Sequence, residues 1–152
     1  MQITKPSDNE IVLIRTFSAP RETVFAALTQ AEHLLRWMKP TDMAIVVCEV
    51  DLRVGGAFRY VFQRSSGRKI EVRGDYEAVD PPHRFMYMET YDFSPLKVLV
   101  TTTLEVSDEE TVFKQTLGYS SKQERDADFD GVVTSAAEAY EKLERYLAQI
   151  RQ

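Results

Sequence analysis

The stretch SKQERDADFDGVVTSAAEAYEKLERYLAQIR, residues 121–151, decides the fold of this chain. Ser121 predicts an N-cap, because Glu124 three residues later completes a capping box. Gly131 costs about 1 kcal/mol inside a helix, so the first turns are expected to be loose or bent there. Apolar residues recur at steps of three and four, which places one stripe along an α-helix. The predicted stripe comprises Phe129, Val132, Val133, Ala136, Ala137, Tyr140, Leu143, Leu147 and Ile150.

The stripe needs a partner surface elsewhere in the chain. Burial of each large apolar side chain contributes roughly 1.5–3 kcal/mol, so the helix gains most by packing its stripe. The opposite face is predicted to be solvated, and it carries Glu138, Glu141, Lys142, Glu144 and Arg145. The segment long enough to cover the stripe is the series of predicted strands that precedes it.

Length and composition indicate one ordinary globular domain. The chain has 152 residues, of which 43% are hydrophobic and 28% charged. Such a chain can bury one sizeable core, so we expect a single domain over residues 1–152 with its core at about 11–150. The net charge of -5 argues against a nucleic-acid partner, because nucleic acids bind basic surfaces.

Targeting signals and cysteine usage predict a cytoplasmic protein. No apolar run approaches the roughly 20 residues of a membrane span. Met1 to Glu10 lacks the apolar centre of a signal peptide. Cys48 is the single cysteine, so it has no intramolecular disulfide partner and fits a reducing compartment.

The first forty residues predict one strand and two short helices. Residues 1–9 are polar and are expected to fray. Ile11 to Phe17 predicts a strand. Pro20 suits the first turn of a short helix, and a second short helix is expected from Ala31 to Met38. Pro40 ends it.

From Met43 onward the apolar period changes to two, which predicts six strands. Turn residues at 65–67 (Ser-Ser-Gly) and 80–82 (Asp-Pro-Pro) separate them, and such short turns favour antiparallel neighbours. The prediction is therefore an α+β fold, a curved antiparallel sheet of about seven strands wrapped round the long C-terminal helix. Strict alternation places one set of side chains from each of four predicted strands on a shared face. The four sets are Ala44, Val46, Cys48 and Val50; Ile70, Val72, Gly74, Tyr76 and Ala78; Phe85, Tyr87, Glu89 and Tyr91; and Phe113, Gln115 and Leu117.

Several local motifs, in their order along the chain, resemble one protein family. They are IRTFSAPRE at 14–22, EHL at 32–34 leading to Trp37, DLRVGG at 51–56, GDY at 74–76 and VDPP at 79–82. This series is similar to the activators of the heat-shock protein 90 ATPase and their homologues, which belong to the START-like, helix-grip (SRPBCC) superfamily. The likeness covers about residues 11–150.

The resemblance implies a helix-grip fold with a cavity between the sheet and the C-terminal helix. It also implies alternative roles, since superfamily relatives bind lipids, hormones or polyketides, some are aromatases or cyclases, and the eukaryotic namesakes stimulate a heat-shock chaperone. Three positions depart from the family pattern. Phe25 and Met38 stand where tryptophan is frequent, and Val132 stands where an aromatic residue often begins the stripe. These changes alter the cavity, so no particular ligand is implied.

The sequence contains no pattern typical of a metal or cofactor site. His33 and His83, the two histidines, have no second ligand at metal-binding spacing. The phosphate-binding patterns GxGxxG and GxxxxGK[ST] and the GxSxG nucleophile elbow are absent. We therefore expect no metal and no cofactor.

Glu89 is the weak candidate for a catalytic residue. Strand alternation places it beside Phe85 and Tyr87, facing the long helix. A desolvated carboxyl group there could bind a ligand hydroxyl or act as a general acid or base. Alternatively the strand ends and Glu89 reaches water, or it pairs with an arginine at the rim. Gln115 is similarly either a ligand contact or a core amide bonded to Thr102 or a tyrosine hydroxyl.

A ligand cavity is also predicted from the inward tyrosines and from the small residues of the stripe. Tyrosine hydroxyls could line a cavity at defined points, or the same residues could be ordinary core. Ala136 and Ala137 leave room for a guest or let the helix lie close to the sheet. The loop from Asp92 to Lys97 is either a lid or a cap on the core. The predicted ligand-binding residues are Phe58, Tyr60, Tyr76, Tyr87, Glu89, Gln115, Phe129, Val133, Ala136 and Tyr140.

The leading hypothesis is a non-enzymatic protein that holds a small hydrophobic or aromatic ligand between sheet and helix. One alternative is a stress-response module that docks to a heat-shock chaperone through a basic hairpin, whose charges could equally form a solvated sheet face. That hairpin carries Arg59, Arg64, Arg68, Lys69 and Arg73. Another alternative is a cyclase- or hydrolase-type enzyme that uses Glu89. Both a monomer and a homodimer are compatible with the sequence.

Overall fold

The computed structural model describes residues 1–151, which form one eight-stranded antiparallel sheet and three helices. The elements are β1 (Gln2–Thr4), β2 (Glu10–Phe17), α1 (Arg21–Thr29), α2 (Ala31–Trp37), β3 (Met43–Val50), β4 (Ala57–Arg64), β5 (Lys69–Asp80), β6 (Arg84–Tyr91), β7 (Lys97–Ser107), β8 (Glu110–Gly118) and α3 (Lys122–Ile150). The strand order is β1-β2-β8-β7-β6-β5-β4-β3. The predicted α+β helix-grip architecture is confirmed, with eight strands rather than about seven.

The additional strand lies in the segment that was expected to fray, so that prediction is wrong. Ile3 of β1 pairs with Leu13 of β2. Arg125 of α3 is only 6% exposed, and its guanidinium donates a hydrogen bond to the carbonyl of Ser7. Asn9 adds a side-chain hydrogen bond of 3.1 Å to the carbonyl of Tyr119. These partners are remote in sequence, so the local polarity of residues 1–9 carried no sign of them.

Helix α3 begins as predicted and runs through Gly131 without interruption. The Ser121 hydroxyl accepts a hydrogen bond of 3.1 Å from the backbone N–H of Glu124. The Glu124 carboxylate in turn accepts from the backbone N–H of Ser120, at 3.3 Å, rather than from that of Ser121. One end of the capping box is therefore displaced by one residue.

The buried stripe of α3 differs from the prediction at its centre. Ala136 is buried, but Ala137 is exposed, because successive helical residues point about 100° apart. Ala139 packs against the core instead, and Tyr146, which the predicted stripe omitted, is only 6% exposed. The small residues that face the sheet are thus Ala136 and Ala139.

Two β-bulges change which residues face the helix. An irregularity between Ile45 and Val47 in β3 leaves Ala44 and Val46 exposed, whereas Cys48 and Val50 pack on the core. The predicted shared face of these four residues is therefore wrong. In β5 the irregularity between Tyr76 and Ala78 brings Val79 opposite Phe85, so Val79 rather than Ala78 packs on the core. An extra residue in one strand reverses the alternation of inward and outward side chains beyond it. The sequence pattern alone does not reveal such a bulge.

Two hydrophobic clusters fill the space around α3. The larger joins α1, α2 and the C-terminal half of α3 to the sheet, and includes Phe25, whose ring meets that of Phe85 at 90° and 5.6 Å. The smaller joins β2, β7 and β8 to Ala136 of α3, with Val132 packed at its edge. No helix within residues 1–151 is both long and apolar enough to cross a membrane.

Candidate functional site

Two adjoining cavities lie between α3 and the inner face of the sheet. Their volumes are about 510 and 250 Å³, and the larger is within the range of small-molecule sites. The residues that line both cavities come from the sheet and from α3, and they are Val72, Tyr87, Glu89, Gln115, Ala139 and Tyr140. Glu89 therefore lies where the two spaces adjoin.

Aromatic rings form much of the smaller cavity. The ring of Phe58 stacks on Tyr60 at a centroid distance of 4.5 Å and meets Tyr87 edge-on at 4.7 Å. Gly74 makes this packing possible, because a Cβ atom at that position would lie 2.0 Å from a ring carbon of Phe58. Gly74 pairs with Phe58 on one side and with Glu89 on the other, so it leaves ring space beside the carboxyl group.

Glu89 is a carboxyl group in a largely apolar environment. Burial raises its pKa to about 7, and the negative charge of Asp128 adds to this effect. The Tyr91 hydroxyl opposes the increase by donating a hydrogen bond of 2.8 Å to Oε2. In the part of the chain that the structure describes, Glu89 pairs with no arginine, so the alternative of a rim arginine is wrong. The group can exchange a proton near neutral pH.

Gln115 connects the helix to the sheet across the cavity. Its amide donates to the Thr102 hydroxyl at 3.2 Å and accepts from the Tyr140 hydroxyl at 3.1 Å. These are the partners that the core-amide interpretation named. Gln115 is only 8% exposed but still lines both cavities. It fixes the Tyr140 ring between the two spaces.

The structure brings together eight of the ten predicted ligand-binding residues. Seven line the smaller cavity, namely Phe58, Tyr60, Tyr76, Tyr87, Glu89, Gln115 and Tyr140, while Ala136 lines the larger. Phe129 and Val133 line neither of these cavities. Phe129 packs at the edge of the smaller cluster, with the Lys5 ammonium 4.5 Å from its ring centroid. Val133 is partly buried on the flank of α3.

Sequence reasoning missed several residues of the larger cavity. Tyr91 and Tyr119 continue the alternation of Glu89 and Leu117, so strand periodicity could have identified both. Helical spacing could have identified Asp128, which lies one turn before Val132. Gly131, Ser135 and Ala139 of α3 were also missed, whereas Phe93, Ser94 and Leu96 belong to the loop from Asp92 to Lys97, for which a lid was one of the two predicted roles.

The basic hairpin on the outer face of the sheet is largely paired. Arg59 forms ion pairs with Glu49, at 3.3 Å, and with Glu71. Arg73 and Asp75 pair on the same strand, at 3.3 Å. Exposed pairs of this kind contribute little to stability, and they are typical of a solvated sheet face.

The two histidines each have a hydrogen-bonding partner. His33 Nδ1 lies 2.5 Å from the Tyr146 hydroxyl, and His83 Nδ1 lies 2.9 Å from the Arg21 guanidinium. Within residues 1–151, no three His, Cys, Asp or Glu side chains lie together in an arrangement that could hold a metal ion.

A curved antiparallel sheet that grips a C-terminal helix, with cavities between them, defines a helix-grip protein of the START-like class. The chain belongs to the family described as "Activator of Hsp90 ATPase homolog 1-like protein", which matches residues 18–148. The resemblance drawn from the sequence motifs is thus confirmed.

Solved structures with the same fold come from several bacteria. A Rhodobacter sphaeroides protein is 30% identical, with a TM-score of 0.90 over 97% of this chain and 98% of that chain. A Staphylococcus epidermidis protein is 27% identical, with a TM-score of 0.85 over 98% of this chain and 94% of that one. A Nitrosomonas europaea protein, 22% identical with a TM-score of 0.85 over 96% and 98% of the two chains, shares the fold. Comparison with curated proteins found no match.

Proposed function

We propose that this protein binds a small hydrophobic or aromatic molecule between the sheet and α3 and does not transform it. The observation that supports this proposal is a cavity of about 510 Å³, apolar for most of its lining, into which two carboxyl groups and an amide project. Binding sites for small molecules combine an apolar wall with a few polar groups that fix orientation. We further propose a single domain over residues 1–152 that acts in the cytoplasm, as the lone Cys48 suggests.

Several residues that line the cavity have a proposed role in binding the ligand. The rings of Tyr87 and Tyr140 would contact the body of the ligand, and Glu89 and Gln115 would meet its polar group. Ala136 and Ala139 would provide the width of the site, because their side chains are small where α3 crosses the cavity. Phe93 and Leu96, from the loop after β6, would cover the ligand at the edge.

A pair of neighbouring alanines provides the test. Ala136→Leu places a larger side chain in the cavity, whereas Ala137→Leu places the same side chain on the exposed face of α3. We expect the first variant to weaken uptake of an apolar fluorescent dye by about tenfold or more and the second to leave it unchanged. Native mass spectrometry of the purified protein should reveal any retained ligand. Absence of dye uptake by the unmodified protein would refute the proposal.

The family description supports a second candidate function, stimulation of a heat-shock chaperone ATPase. The exposed arginines at the tip of the β4–β5 hairpin, Arg64 and Arg68, are then the proposed contacts with the chaperone. The ATPase rate of the chaperone should rise when this protein is added and should return to its basal value with Arg64→Glu and Arg68→Glu. An unchanged rate with the unmodified protein would contradict this candidate.

The raised pKa of Glu89 supports a third candidate, an enzyme that uses this residue as a general acid or base. A cyclase or hydrolase of this kind would lose its pH-dependent rate in Glu89→Gln. Retention of the full rate in that variant would remove Glu89 from the mechanism.

A further inference from the structure

The larger cavity contains negative charge without compensating positive charge. Glu89 enters it from β6 and Asp128 from α3, so the two carboxyl groups lie on opposite walls. Among the described residues that line this cavity there is no lysine, arginine or histidine. Neither carboxyl group forms an ion pair with another described residue; each is instead bonded to a tyrosine.

The two tyrosines hold these carboxyl groups in place without neutralising them. Tyr91 donates to Glu89 at 2.8 Å, and Tyr119 donates to Asp128 at 2.7 Å. A carboxylate has about four lone-pair sites, so each retains acceptor capacity after one such bond. Tyr119 is only 4% exposed, which fixes its hydroxyl and therefore the position of Asp128.

Aromatic side chains line the same space. Rings attract cations because their faces carry partial negative charge, and the attraction grows when water is excluded. The aromatic residues of the lining come from the sheet, the loop after β6 and α3, and they are Tyr87, Tyr91, Phe93, Tyr119 and Tyr140.

The charge of a ligand therefore decides whether this lining strengthens or weakens its binding. An anion would be repelled by the Asp128 carboxylate and would disfavour the charged form of Glu89. A neutral guest would leave Asp128 without a counter-charge and would not favour the charged form of Glu89. A cation would be attracted by the carboxyl groups and by the aromatic rings. We propose that the ligand is an organic cation, a protonated amine attached to an apolar or aromatic body; this inference rests on the ligand-binding function proposed above.

Burial and the nearby Asp128 charge both raise the pKa of Glu89, to about 7, so a cation beside it would favour the charged form. Binding of an amine should then strengthen as the pH rises through about 7. The titratable groups that face Glu89 are Tyr60, Tyr87 and Tyr119 on the sheet side, Tyr91 beside it, and Asp128 and Tyr140 on α3. The pKa values of these tyrosines are raised by burial, so they remain neutral in this pH range.

Three probes with one ring system test the inference by calorimetry. They are 1-naphthylmethylamine, 1-naphthalenemethanol and 1-naphthoate, which are cationic, neutral and anionic at about pH 7.5. We expect the amine to bind about tenfold or more tightly than the alcohol and the naphthoate to bind least. In Glu89→Gln the preference for the amine over the alcohol should fall to about threefold or less. Glu77→Gln, a change at an exposed position of β5, is the matched control and should retain the full preference.

The outcomes separate this inference from the proposed function. Equal binding of amine and alcohol, or tighter binding of naphthoate, overturns the inference and leaves the proposed function standing. Dye uptake without binding of any naphthalene probe also overturns the inference and leaves the proposed function standing. Failure of the dye and of all three probes refutes the proposed function and this inference together.

Discussion

The hydroxyl of Tyr91 donates a hydrogen bond of 2.8 Å to Oε2 of Glu89, two residues earlier on the same face of β6. A hydrogen bond to a carboxylate favours its charged form, whereas burial disfavours it. Burial has the larger effect, and the pKa of Glu89 rises from the ordinary value of 4.5 to about 7. A proton therefore enters or leaves the cavity within the physiological range.

Stability should fall as the pH rises between the two pKa values of Glu89. The folded protein binds the proton up to about pH 7 and the unfolded chain only up to about 4.5, so protonation favours folding within this interval. The expected slope is at most about 1.4 kcal/mol per pH unit. Glu89→Gln cannot titrate there, so its free energy of unfolding relative to the unmodified protein should increase from pH 5 to pH 8. Urea denaturation at both pH values measures this, and a constant difference would contradict it.

Removal of the Tyr91 hydroxyl should raise the pKa of Glu89 further. Tyr91→Phe deletes the hydrogen bond that favours the carboxylate and leaves burial unopposed. Carbon-13 NMR titration of the Glu89 carboxyl group should show a midpoint above about 7. The matched control is Tyr119→Phe, whose hydroxyl bonds Asp128 instead, and it should move the midpoint less. Equal shifts in the two variants would show that the hydrogen bond is not responsible.

Two glycine-to-alanine substitutions should have opposite effects on stability. Gly74→Ala brings a Cβ atom to 2.0 Å from the Phe58 ring, which is 2% exposed and held between Tyr60 and Tyr87. We expect a loss of about 1–3 kcal/mol, as for other overpacked cores. Gly131→Ala meets no atom within 4 Å and lies inside α3, so stability should rise by up to about 1 kcal/mol. Thermal denaturation distinguishes the two, and changes of the same sign would be inconsistent with this packing.

Arg125 should hold the N-terminal segment against α3. Arg125→Ala removes the hydrogen bond to the Ser7 carbonyl, and bonds to charged groups contribute about 1.5–3 kcal/mol. Hydrogen exchange at Ile3 should accelerate and the free energy of unfolding should decrease. Arg145→Ala, on the same helix, loses only an exposed pair with Glu141 and should cost less than about 0.5 kcal/mol. Slow exchange at Ile3 in Arg125→Ala would exclude the anchoring role.

Local patterns predicted the features that depend on residues close together in the chain. The cap and periodicity after Ser121 correctly indicated a helix, observed as Lys122–Ile150, because each turn is formed by residues three and four apart. The inward position of Glu89 was also predictable, since β6 is a strand without a bulge before that residue. Prediction failed at Ala44, Val46 and Ala78, because a bulge depends on the register with the neighbouring strand.

The sequence by itself determined that an amphipathic helix follows a series of alternating strands, because hydrophobic periodicity is a property of consecutive residues. Only the tertiary structure decided that Asp128 shares a cavity with Glu89, that Arg125 meets Ser7 and that Ala137 faces solvent. The first two relationships join residues distant in the chain, and the third depends on the rotation of α3 against the sheet. The size and charge of the cavity arise from such contacts, so they appear only when the chain has folded.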